Sequence, residues 1–542
     1  MELEKPPHYG RAATNRLTRS IPEPDSRQVQ PYIVLNTLRL LHLLALPVLL
    51  VSTALRLAAA TVSSPFGTSY QVNVNAAGQN IPGDAANEPS FCIDPTNPKR
   101  MAVGWRQFDS VTNNFRQAGW GYSTNGGLNW TVGGVLEPGI FRSDPVLAAD
   151  AEGRFYYLSL LSDFHCDLWR STNGGMTWER LSYAFGGDKP LMTIDTTTGI
   201  GRGNIYHACS PFYTYSGDQT NMFTRSTDAG LNWMPPMAVP QFPYWGTLDV
   251  GPAGELFVVG TDGFEFVVNR SSNAANPAAF PVFELTQQVS LGGSIIYGAP
   301  VNPAGLLGQA YIAVDRSTGP TRGNVYLLCS VVGGSNPSDV MFSRSTDSGS
   351  TWSAPLRIND DAPDQNADHW FGTMSVAPNG RIDVCWYDTR NSASNTLSEL
   401  YYTWSEDGGL TFAANRPLSP AFDHSLGYPA QQKMGDYIGM VSLNEGACIV
   451  YTATHNGEED LYFVRAELPI KATIHWVENA ARILWNAVPG GNYCVQVKAS
   501  LGVPWSAGTN VACIVSTNYQ AEVDDPTAVS RPQSYYRILR QP

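Results

Sequence analysis

The stretch that decides the fold is STNGGLNW, at Ser123–Trp130, because close copies of it recur along the chain. Each copy places Ser first, Asn or Asp two residues later, then Gly, and an aromatic residue at the end. The polar side chain caps backbone N–H groups, Gly supplies a positive φ and the aromatic packs on a neighbouring strand, so each copy predicts a hairpin turn. The other copies are STNGGMTW (Ser171–Trp178), STDAGLNW (Ser226–Trp233), STDSGSTW (Ser345–Trp352) and SEDGGLTF (Ser405–Phe412).

The repeated phrase resembles the Asp box, or BNR repeat, S-x-[DN]-x-G-x-x-[WF], of sialidases and related β-propellers. The resemblance spans Thr68 to Leu468, and a degraded sixth copy, RSSNAANPAAF, lies at Arg270–Phe280 with Ala275 in place of Gly. It implies an all-β propeller that acts on or binds glycans.

A longer repeat defines the unit: IDTTTGIGRGNIYHACS (Ile194–Ser210) matches VDRSTGPTRGNVYLLCS (Val314–Ser330). Short and apolar strands around each turn predict four-stranded antiparallel blades. The fold class is therefore all-β, a seven-bladed β-propeller, with a six-bladed ring as the alternative. The seven units align on the turns at Asp94, Asp150, Asp195, Gly251, Asp315, Ala377 and Leu443.

The seventh unit, Gly435 to Leu468, has room for three strands and carries no copy of the phrase. We expect the ring to close by borrowing its outer strand from the N-terminal segment SYQVNVN (Ser69–Asn75). A borrowed strand leaves no turn for the phrase to occupy, and it removes the exposed sheet edge at the seam.

Three segments are predicted. Residues 1–60 are a leader and signal peptide, because the apolar run His42–Leu55 lies between Arg39 and Arg56 and small residues precede a cleavage point after Ala60. An uncleaved anchor is the alternative. Residues 61–468 form the sialidase-like propeller. Residues 469–542, with spaced aromatics, predict a small β-sandwich, fibronectin-like or carbohydrate-binding-like, serving as a spacer or a glycan binder.

Composition narrows the function classes. With 15% charged residues and a net charge of −13, the 542-residue chain has no electrostatic footprint for nucleic acid or an anionic membrane. We expect a secreted, periplasmic or extracellular protein with no membrane span after signal cleavage.

The eight cysteines show no metal or redox spacing. Cys494 and Cys513 are candidates for a disulfide in an oxidising compartment. Small apolar side chains are expected to be buried between blades at Cys209, Cys329, Cys385 and Cys448.

In a four-stranded blade the turns between strands one and two and between strands three and four share a face. The repeated turns therefore report the fold, and the opposite rim carries the function. Counting six residues back from each aligned turn predicts a ring of inward-facing side chains at Glu88, Asp144, Lys189, Trp245, Gln309, Phe371 and Tyr437.

Neighbouring positions add charge and aromatic faces to this ring. Carboxylates, guanidinium groups and aromatic rings around one cleft suit a polyhydroxylated or carboxylated sugar, so the predicted partner is a glycan or polysaccharide. The candidate substrate-binding residues are Arg106, Arg142, Lys189, Trp245, His369, Trp370, Asp388, Arg390 and Asp436.

Structural interpretations compete with each of these assignments. Asp388 with Arg390, and Arg106 with Asp109, could brace loops as ion pairs. Asp144 and Asp188 could be turn caps. His369 could be a satisfied loop residue, and Trp370 and Tyr437 could plug the mouth of the channel.

Sialidases, which the repeat resembles, bear three arginines for the substrate carboxylate, a Tyr and Glu nucleophile pair, an Asp acid/base and an F/Y-R-I-P motif. The motif is missing here, since the R-x-I-P at Arg19–Pro22 lies in the leader and NEPSFCID (Asn87–Asp94) has no Arg. The resemblance implies Asp144 or Asp188 as acid/base and Tyr437 with Glu88 as nucleophile.

The leading functional hypothesis is hydrolysis of an acidic sugar glycoside. A polysaccharide lyase, a non-catalytic glycan-binding or adhesion propeller and an assembly scaffold stay open. We predict no cofactor and no metal site, with calcium as the alternative at Asp364, Asn366 and Asp368, where His369 replaces the Gly of an EF-hand loop.

Overall fold

The computed structural model describes residues 61–334, 336–363, 365–487, 491–500, 502, 504–505, 508–517 and 520–541. These residues form strands, turns and short 3₁₀ segments such as Pro211–Tyr213, and they contain no α-helix. The all-β expectation is confirmed. The predicted leader, residues 1–60, lies outside the described residues. In the described part of the chain, no helix has the length and apolar character needed to cross a membrane.

Strands β1 to β29 occupy the chain between residues 61 and 467. In order they are Thr61–Ser64, Gly67–Gln71, Ala85–Ile93, Met101–Phe108, Gln117–Ser123, Thr131–Val135, Ser143–Ala149, Phe155–Leu160, Cys166–Ser171, Glu179–Tyr183, Leu191–Ile194, Ile205–Ala208, Phe223–Ser226, Leu248–Val250, Leu256–Thr261, Phe266–Ser271, Leu285–Val289, Tyr311–Val314, Val325–Val331, Asp339–Ser345, Leu356–Arg357, His369–Val376, Ile382–Asp388, Leu397–Ser405, Arg416–Pro417, Phe422–Asp423, Gly439–Leu443, Gly446–Ala453 and Asp460–Glu467.

These strands pair into seven antiparallel sheets in the described residues. Their orders are β3-β4-β5-β6, β7-β8-β9-β10, β11-β12-β13, β14-β15-β16-β17, β18-β19-β20-β21, β22-β23-β24-β25 with β26 on β24, and β27-β28-β29-β2-β1. The first strand of each sheet (β3, β7, β11, β14, β18, β22 and β27) contacts the first strand of the next, and β27 contacts β3. The sheets therefore follow one another in a closed circular order, and their first strands surround a common axis.

The N-terminal segment closes this order, as the sequence predicted. Strand β2 pairs antiparallel with β29, with Tyr70 opposite Phe463. The Val72 N–H continues the pairing by donating to the Leu461 carbonyl at 2.8 Å. Strand β1 then adds a fifth strand outside β2, which the sequence did not predict.

The repeated turns share one hydrogen-bond pattern. In the fourth copy, Ser345 Oγ accepts from the Gly349 N–H at 2.8 Å and donates to Asp347 Oδ1 at 2.8 Å. Asp347 Oδ1 also accepts from the Thr351 N–H at 2.8 Å. The degraded copy keeps the bond from Ser271 Oγ to Asn273 Oδ1, at 3.0 Å. Each phrase therefore folds as the compact turn that its residues predict.

The C-terminal strands β30 to β35 form two three-stranded sheets, β30-β31-β34 and β33-β32-β35, which share one apolar core. A disulfide joins Cys494 and Cys513, as predicted. The four cysteines expected between blades are buried. The strands are Ala472–Val477, Ala480–Asn486, Asn492–Lys498, Thr509–Val515, Gln520–Asp525 and Tyr535–Gln541.

Buried carboxyls line the seam where the N-terminal segment covers β29. Asp84 Oδ2 accepts from Gln107 Nε2 at 2.9 Å, whereas its buried Oδ1 has no hydrogen-bond partner among the described residues. Burial raises the pKa of Asp84 to about 7, and the Gln107 hydrogen bond only partly opposes it. Burial likewise raises the pKa of Asp460, which accepts from Asn73 across the seam, to about 6. The seam therefore favours protonated carboxyls.

We expect the free energy of unfolding to fall as the pH rises from 4 to 8. The pKa of Asp84 is higher in the folded state than its ordinary 3.8, so its contribution is full below pH 4 and is lost as the pH rises through 7. One such group contributes about 4 kcal/mol. Urea unfolding at several pH values measures the effect.

The isosteric variant Asp84→Asn isolates this group, because other carboxyls also titrate in this range. The variant should unfold at higher urea than the wild type at pH 8 and show a weaker pH dependence. Equal slopes for the two proteins between pH 4 and 8 would contradict the assignment to Asp84.

Candidate functional site

Residues with a strained backbone lie within or shortly before the first strands of five of the sheets. In β3, β7 and β22 the register shifts at this point, so that two residues oppose one on the partner strand. A left-handed backbone costs a non-Gly residue about 1–2 kcal/mol and is typically retained where function requires it. The positive φ angles are 51° at Glu88, 47° at Asp144, 53° at Lys189, 55° at Trp245 and 57° at Phe371. Five of the seven predicted ring positions therefore share a left-handed backbone conformation.

Charged side chains from three of these strand heads meet at the axis. Lys189 Nζ lies 3.9 Å from Glu88 Oε1 and 3.8 Å from Asp144 Oδ2, and it contacts Asp436 Oδ2. Lys433 Nζ lies 2.9 Å from Glu88 Oε1 and 2.5 Å from Asp436 Oδ2. We call these five residues the central charge cluster. It gathers groups that are hundreds of residues apart in sequence.

A loop that connects the fourth and fifth sheets holds the cluster from one side. The Leu306 N–H donates to Asp436 Oδ1 at 2.8 Å. The buried Asn302 side chain donates to the Gly435 carbonyl at 2.9 Å and accepts from the Met434 N–H at 3.0 Å. These bonds fix the segment that carries both Lys433 and Asp436.

A cavity of about 470 Å³ opens beside the central charge cluster. This volume is in the range of small-ligand sites. Its wall contains charged groups, aromatic rings and backbone from several sheets. The lining residues are Arg106, Arg116, Phe141, Ser143, Asp144, Leu160, Leu161, Ser162, Phe164, Asp188, Lys189, Ser210, Phe212, Tyr213, Trp245, Tyr297, Ala304, Leu306, Gln431, Lys433 and Asp436.

Two arginines make one wall of the cavity electropositive. Arg106 donates from Nε to Asn87 Oδ1 and from Nη1 to Gln431 Oε1, each at 2.8 Å. Its buried Nη2 has no hydrogen-bond partner among the described residues. Arg116 donates from Nε to Ser143 Oγ at 3.1 Å. Burial lowers the pKa of Arg116 to about 10, with a further contribution from Arg106. An anionic ligand group would satisfy this wall.

Two of the three acidic residues that line the cavity, Asp144 and Asp188, have pKa values that move in opposite directions. Burial, aided by the charges of Asp144 and Asp436, raises the pKa of Asp188 to about 6, although Lys189 opposes the rise. Burial also acts to raise the pKa of Asp144. There the charge of Lys189 and the hydrogen bond from Ser143 outweigh burial, and the pKa falls to about 2. Asp188 is therefore a proton donor candidate beside an ionised carboxylate.

The structure brings eight of the predicted site residues together at the axis or in the cavity. Asp144 and Asp188 both line the cavity, a position that a role as turn caps does not by itself explain. Arg106 pairs there with Glu88, at 3.3 Å, and this contact replaces the expected brace with Asp109. The eight are Glu88, Arg106, Asp144, Asp188, Lys189, Trp245, Asp436 and Tyr437, the last on the far side of the cluster.

Tyr437, the predicted nucleophile, lines a second cavity and has a backbone hydrogen-bond partner. Its hydroxyl donates to the Pro145 carbonyl at 3.1 Å, and its ring lines a separate cavity of about 220 Å³ that Gln309 also lines. Burial raises the pKa of Tyr437 well above its ordinary value. The phenol is thus neutral, bonded to backbone and outside the cavity that Asp188 lines.

Five further candidates lie away from the cavity. Arg142 is buried 2.6 Å from Asp167 and stacks near Trp169. Trp370 is a core residue that donates to Ser398 Oγ at 3.1 Å. The remaining three, His369, Asp388 and Arg390, form a buried network with Asp361.

The ion pairs of this network explain why the sequence pattern of His369, Asp388 and Arg390 resembles that of a ligand-binding site. His369 Nε2 lies 3.2 Å from Asp361 Oδ1 and 3.6 Å from Asp388 Oδ2. Arg390 Nη2 lies 2.8 Å from Asp388 Oδ2, the contact that the loop-bracing interpretation predicts. Charge pairing inside a loop cluster gives the same residue pattern as a ligand site.

The metal hypothesis gains no support from geometry. Within the described ranges, no three His, Cys, Asp or Glu side chains are grouped so that they could hold a metal ion. Asp364 of the D-x-N-x-D stretch lies outside the described residues, and Asp368 accepts from Ser338 Oγ at 3.1 Å. Calcium at this loop stays an untested prediction.

Sequence reasoning missed Lys433, Arg116 and Gln431, which complete the cavity wall. They lie in irregular segments between strands, where neither repeat nor periodicity indicates which side chain turns inward. The spacing of Lys433 three residues before Asp436 was the available signal.

No family model matches the chain, and no curated protein sequence matches it. The similar solved structures include a protein of unknown function from Dyadobacter fermentans, 13% identical with a TM-score of 0.43 over 76% of this chain and 99% of that one. An α-L-arabinofuranosidase variant from Fusarium graminearum is 12% identical with a TM-score of 0.39, over 75% and 98%. A variant of the NanB sialidase from Streptococcus pneumoniae is 11% identical with a TM-score of 0.38, over 74% and 71%. Likeness of this degree assigns the chain to no family.

Proposed function

We propose that this protein is a secreted, seven-bladed β-propeller with a C-terminal β-sandwich, and that it hydrolyses glycosides of an acidic sugar. The observation that carries the activity is the pair Asp188 and Asp144, whose pKa values are about 6 and about 2, in a cavity with an arginine wall. The closed order of seven sheets supports the propeller. The Cys494–Cys513 disulfide supports export to an oxidising compartment.

The arginine wall would bind the carboxylate of the sugar. Arg116 is the half-buried guanidinium of this wall, and the buried Arg106 beside it adds positive charge from behind. A guanidinium group pairs with a carboxylate through two parallel hydrogen bonds, so an acidic sugar gains more here than a neutral one. Trp245, which also lines the cavity, supplies an aromatic face for the sugar ring.

The chemistry would use the two carboxyl groups in different roles. Protonated Asp188 gives its proton to the glycosidic oxygen as the bond from that oxygen to the anomeric carbon breaks. Ionised Asp144 stabilises the positive charge that develops on the sugar ring. After the leaving group departs, a water adds to the anomeric carbon and its proton returns to Asp188.

The central charge cluster would keep these roles distinct. Lys189 holds Asp144 ionised, since its charge is the main influence that lowers the pKa of Asp144. Asp436, paired with Lys189 and Lys433, adds negative charge that raises the pKa of Asp188. The charges of the cluster would thus favour both the protonated form of Asp188 and the ionised form of Asp144.

The test is turnover of 4-methylumbelliferyl glycosides of N-acetylneuraminic acid, glucuronic acid and galacturonic acid by the secreted protein. Cleavage of one of them, with rates that fall above pH 6, supports the proposal. The neutral glucoside and galactoside are the controls. No cleavage of any acidic glycoside between pH 3 and 8 rejects hydrolysis.

A binding propeller is the second candidate, and one observation favours it. The central charges already pair with one another, and the Tyr437 hydroxyl donates to the Pro145 carbonyl, so the predicted nucleophile is not among the residues that line this cavity. Retention on an acidic glycan column without turnover of the three glycosides supports this candidate.

A further inference from the structure

Asp188 is fixed to a neighbouring aromatic turn by backbone hydrogen bonds. Its N–H donates to the Tyr213 carbonyl at 2.8 Å, and its carbonyl accepts from the Ser210 N–H at 2.8 Å. The intervening residues form the 3₁₀ segment Pro211–Tyr213. The position of the Asp188 backbone is therefore linked to the position of this turn.

The turn holds two aromatic rings in solvent at the cavity edge. Phe212 is 48% exposed and Tyr213 is 56% exposed, and both line the cavity. Ring contacts keep them in place: Phe212 packs edge-on against Tyr244 at 4.8 Å, and Tyr213 stacks on Phe164 at 5.4 Å. A contiguous patch of exposed apolar groups typically marks a binding surface.

A chain of rings continues from this edge into the cavity. Tyr244 contacts Trp245 at 4.9 Å, and Trp245 lines the cavity wall. The segment Ser210–Thr214 carries no charged side chain. A phosphate or other charged leaving group would therefore find no counter-charge on the turn itself, whereas an uncharged sugar ring would find two aromatic surfaces.

We propose that Phe212 and Tyr213 form a subsite that stacks on a neutral sugar ring in the leaving group, so that the substrate is an oligosaccharide or polysaccharide. This inference rests on the proposed function. A general acid donates its proton to the leaving oxygen, so the group that departs lies beside the acid. The part of the wall that is hydrogen-bonded to Asp188 is the aromatic turn.

The experiment compares two substrates of the acidic sugar that the wild type cleaves among the three named above. One is its disaccharide with galactose as the leaving group, and the other is its glycosyl fluoride. Fluoride is too small to reach the turn and departs without a proton. Phe212→Ala and Tyr213→Ala are measured with both, and Phe280→Ala, at a 62% exposed ring in the degraded repeat, is the matched control.

Each turn variant should lose about tenfold in kcat/KM on the disaccharide, a loss typical of a stacked ring. On the fluoride the same variants should stay within about twofold of the wild type, since a missing leaving-group contact cannot affect it. The control variant should match the wild type on both substrates.

Three outcomes overturn the subsite. They are unchanged rates on the disaccharide, equal losses on both substrates, and a displaced alkaline limb of the pH profile, which would show that the turn only positions Asp188. A wild type that cleaves none of the acidic glycosides overturns the proposed function and this inference together. A wild type that is active while its variants are unchanged overturns the subsite alone.

Discussion

Replacing Asp188 by Asn should lower kcat on an acidic glycoside by about 10²- to 10⁴-fold at pH 5, because the leaving oxygen would depart without a proton. Burial holds the pKa of Asp188 at about 6, so the wild-type acid is protonated below that pH and loses its proton above it. Wild-type kcat/KM should therefore fall above pH 6. Steady-state rates from pH 3 to 8 measure both effects.

The glycosyl fluoride distinguishes the loss of proton donation by Asp188 from damage to the fold. Asp188→Asn should retain most of its activity on the fluoride, since that bond breaks without protonation. A variant that keeps more than a tenth of wild-type kcat on the disaccharide at pH 5 would exclude Asp188 as the acid. A wild-type pH profile whose alkaline limb lies above pH 8 would also exclude Asp188 as the acid.

Replacing Lys433 by Met should reduce the free energy of unfolding by about 3–5 kcal/mol, the cost of leaving buried charges without their partner. Lys433 Nζ lies 2.9 Å from Glu88 and 2.5 Å from Asp436, and both carboxylates are fully buried. Methionine keeps the length of the side chain and removes only the charge. Urea unfolding at pH 7 measures the loss.

The double variant Lys433→Met with Glu88→Gln should recover part of this loss, since one uncompensated carboxylate is then neutral. Lys471→Met is the matched surface control, because Lys471 pairs with Glu406 while both side chains are at least half exposed. Its effect should stay within about 0.5 kcal/mol. Equal losses for Lys433→Met and Lys471→Met would show that the central charge cluster does not depend on its second lysine.

Local repetition explains why much of the architecture was predictable. Ser345, Asp347 and Gly349 bond to one another within five residues, so the phrase specifies its turn without help from the rest of the chain. The seam strand was predictable for a related reason. A unit without a turn phrase lacks a fourth strand, and SYQVNVN, with alternating polar and apolar residues, is a segment that can supply one.

The site was less predictable than the fold. Counting from the turns located Glu88, Asp144 and Lys189, because each lies at the same offset from the turn of its unit, within or just before an inner strand. The same counting located Tyr437, which lines a second cavity. Register locates a backbone position, but tertiary contacts such as the hydrogen bond to Pro145 decide which cavity the side chain lines.

The sequence by itself determined the repeated turns, the all-β class and the inner-strand positions, because these depend on contacts among residues close in the chain. Only the tertiary structure decided which charges meet. Lys189 and Asp436 are 247 residues apart, and Asp188 gains its raised pKa from burial and from carboxylates on other strands. Burial and Coulomb interactions act through space, so the pKa values of the cavity residues depend on the folded arrangement of the seven sheets.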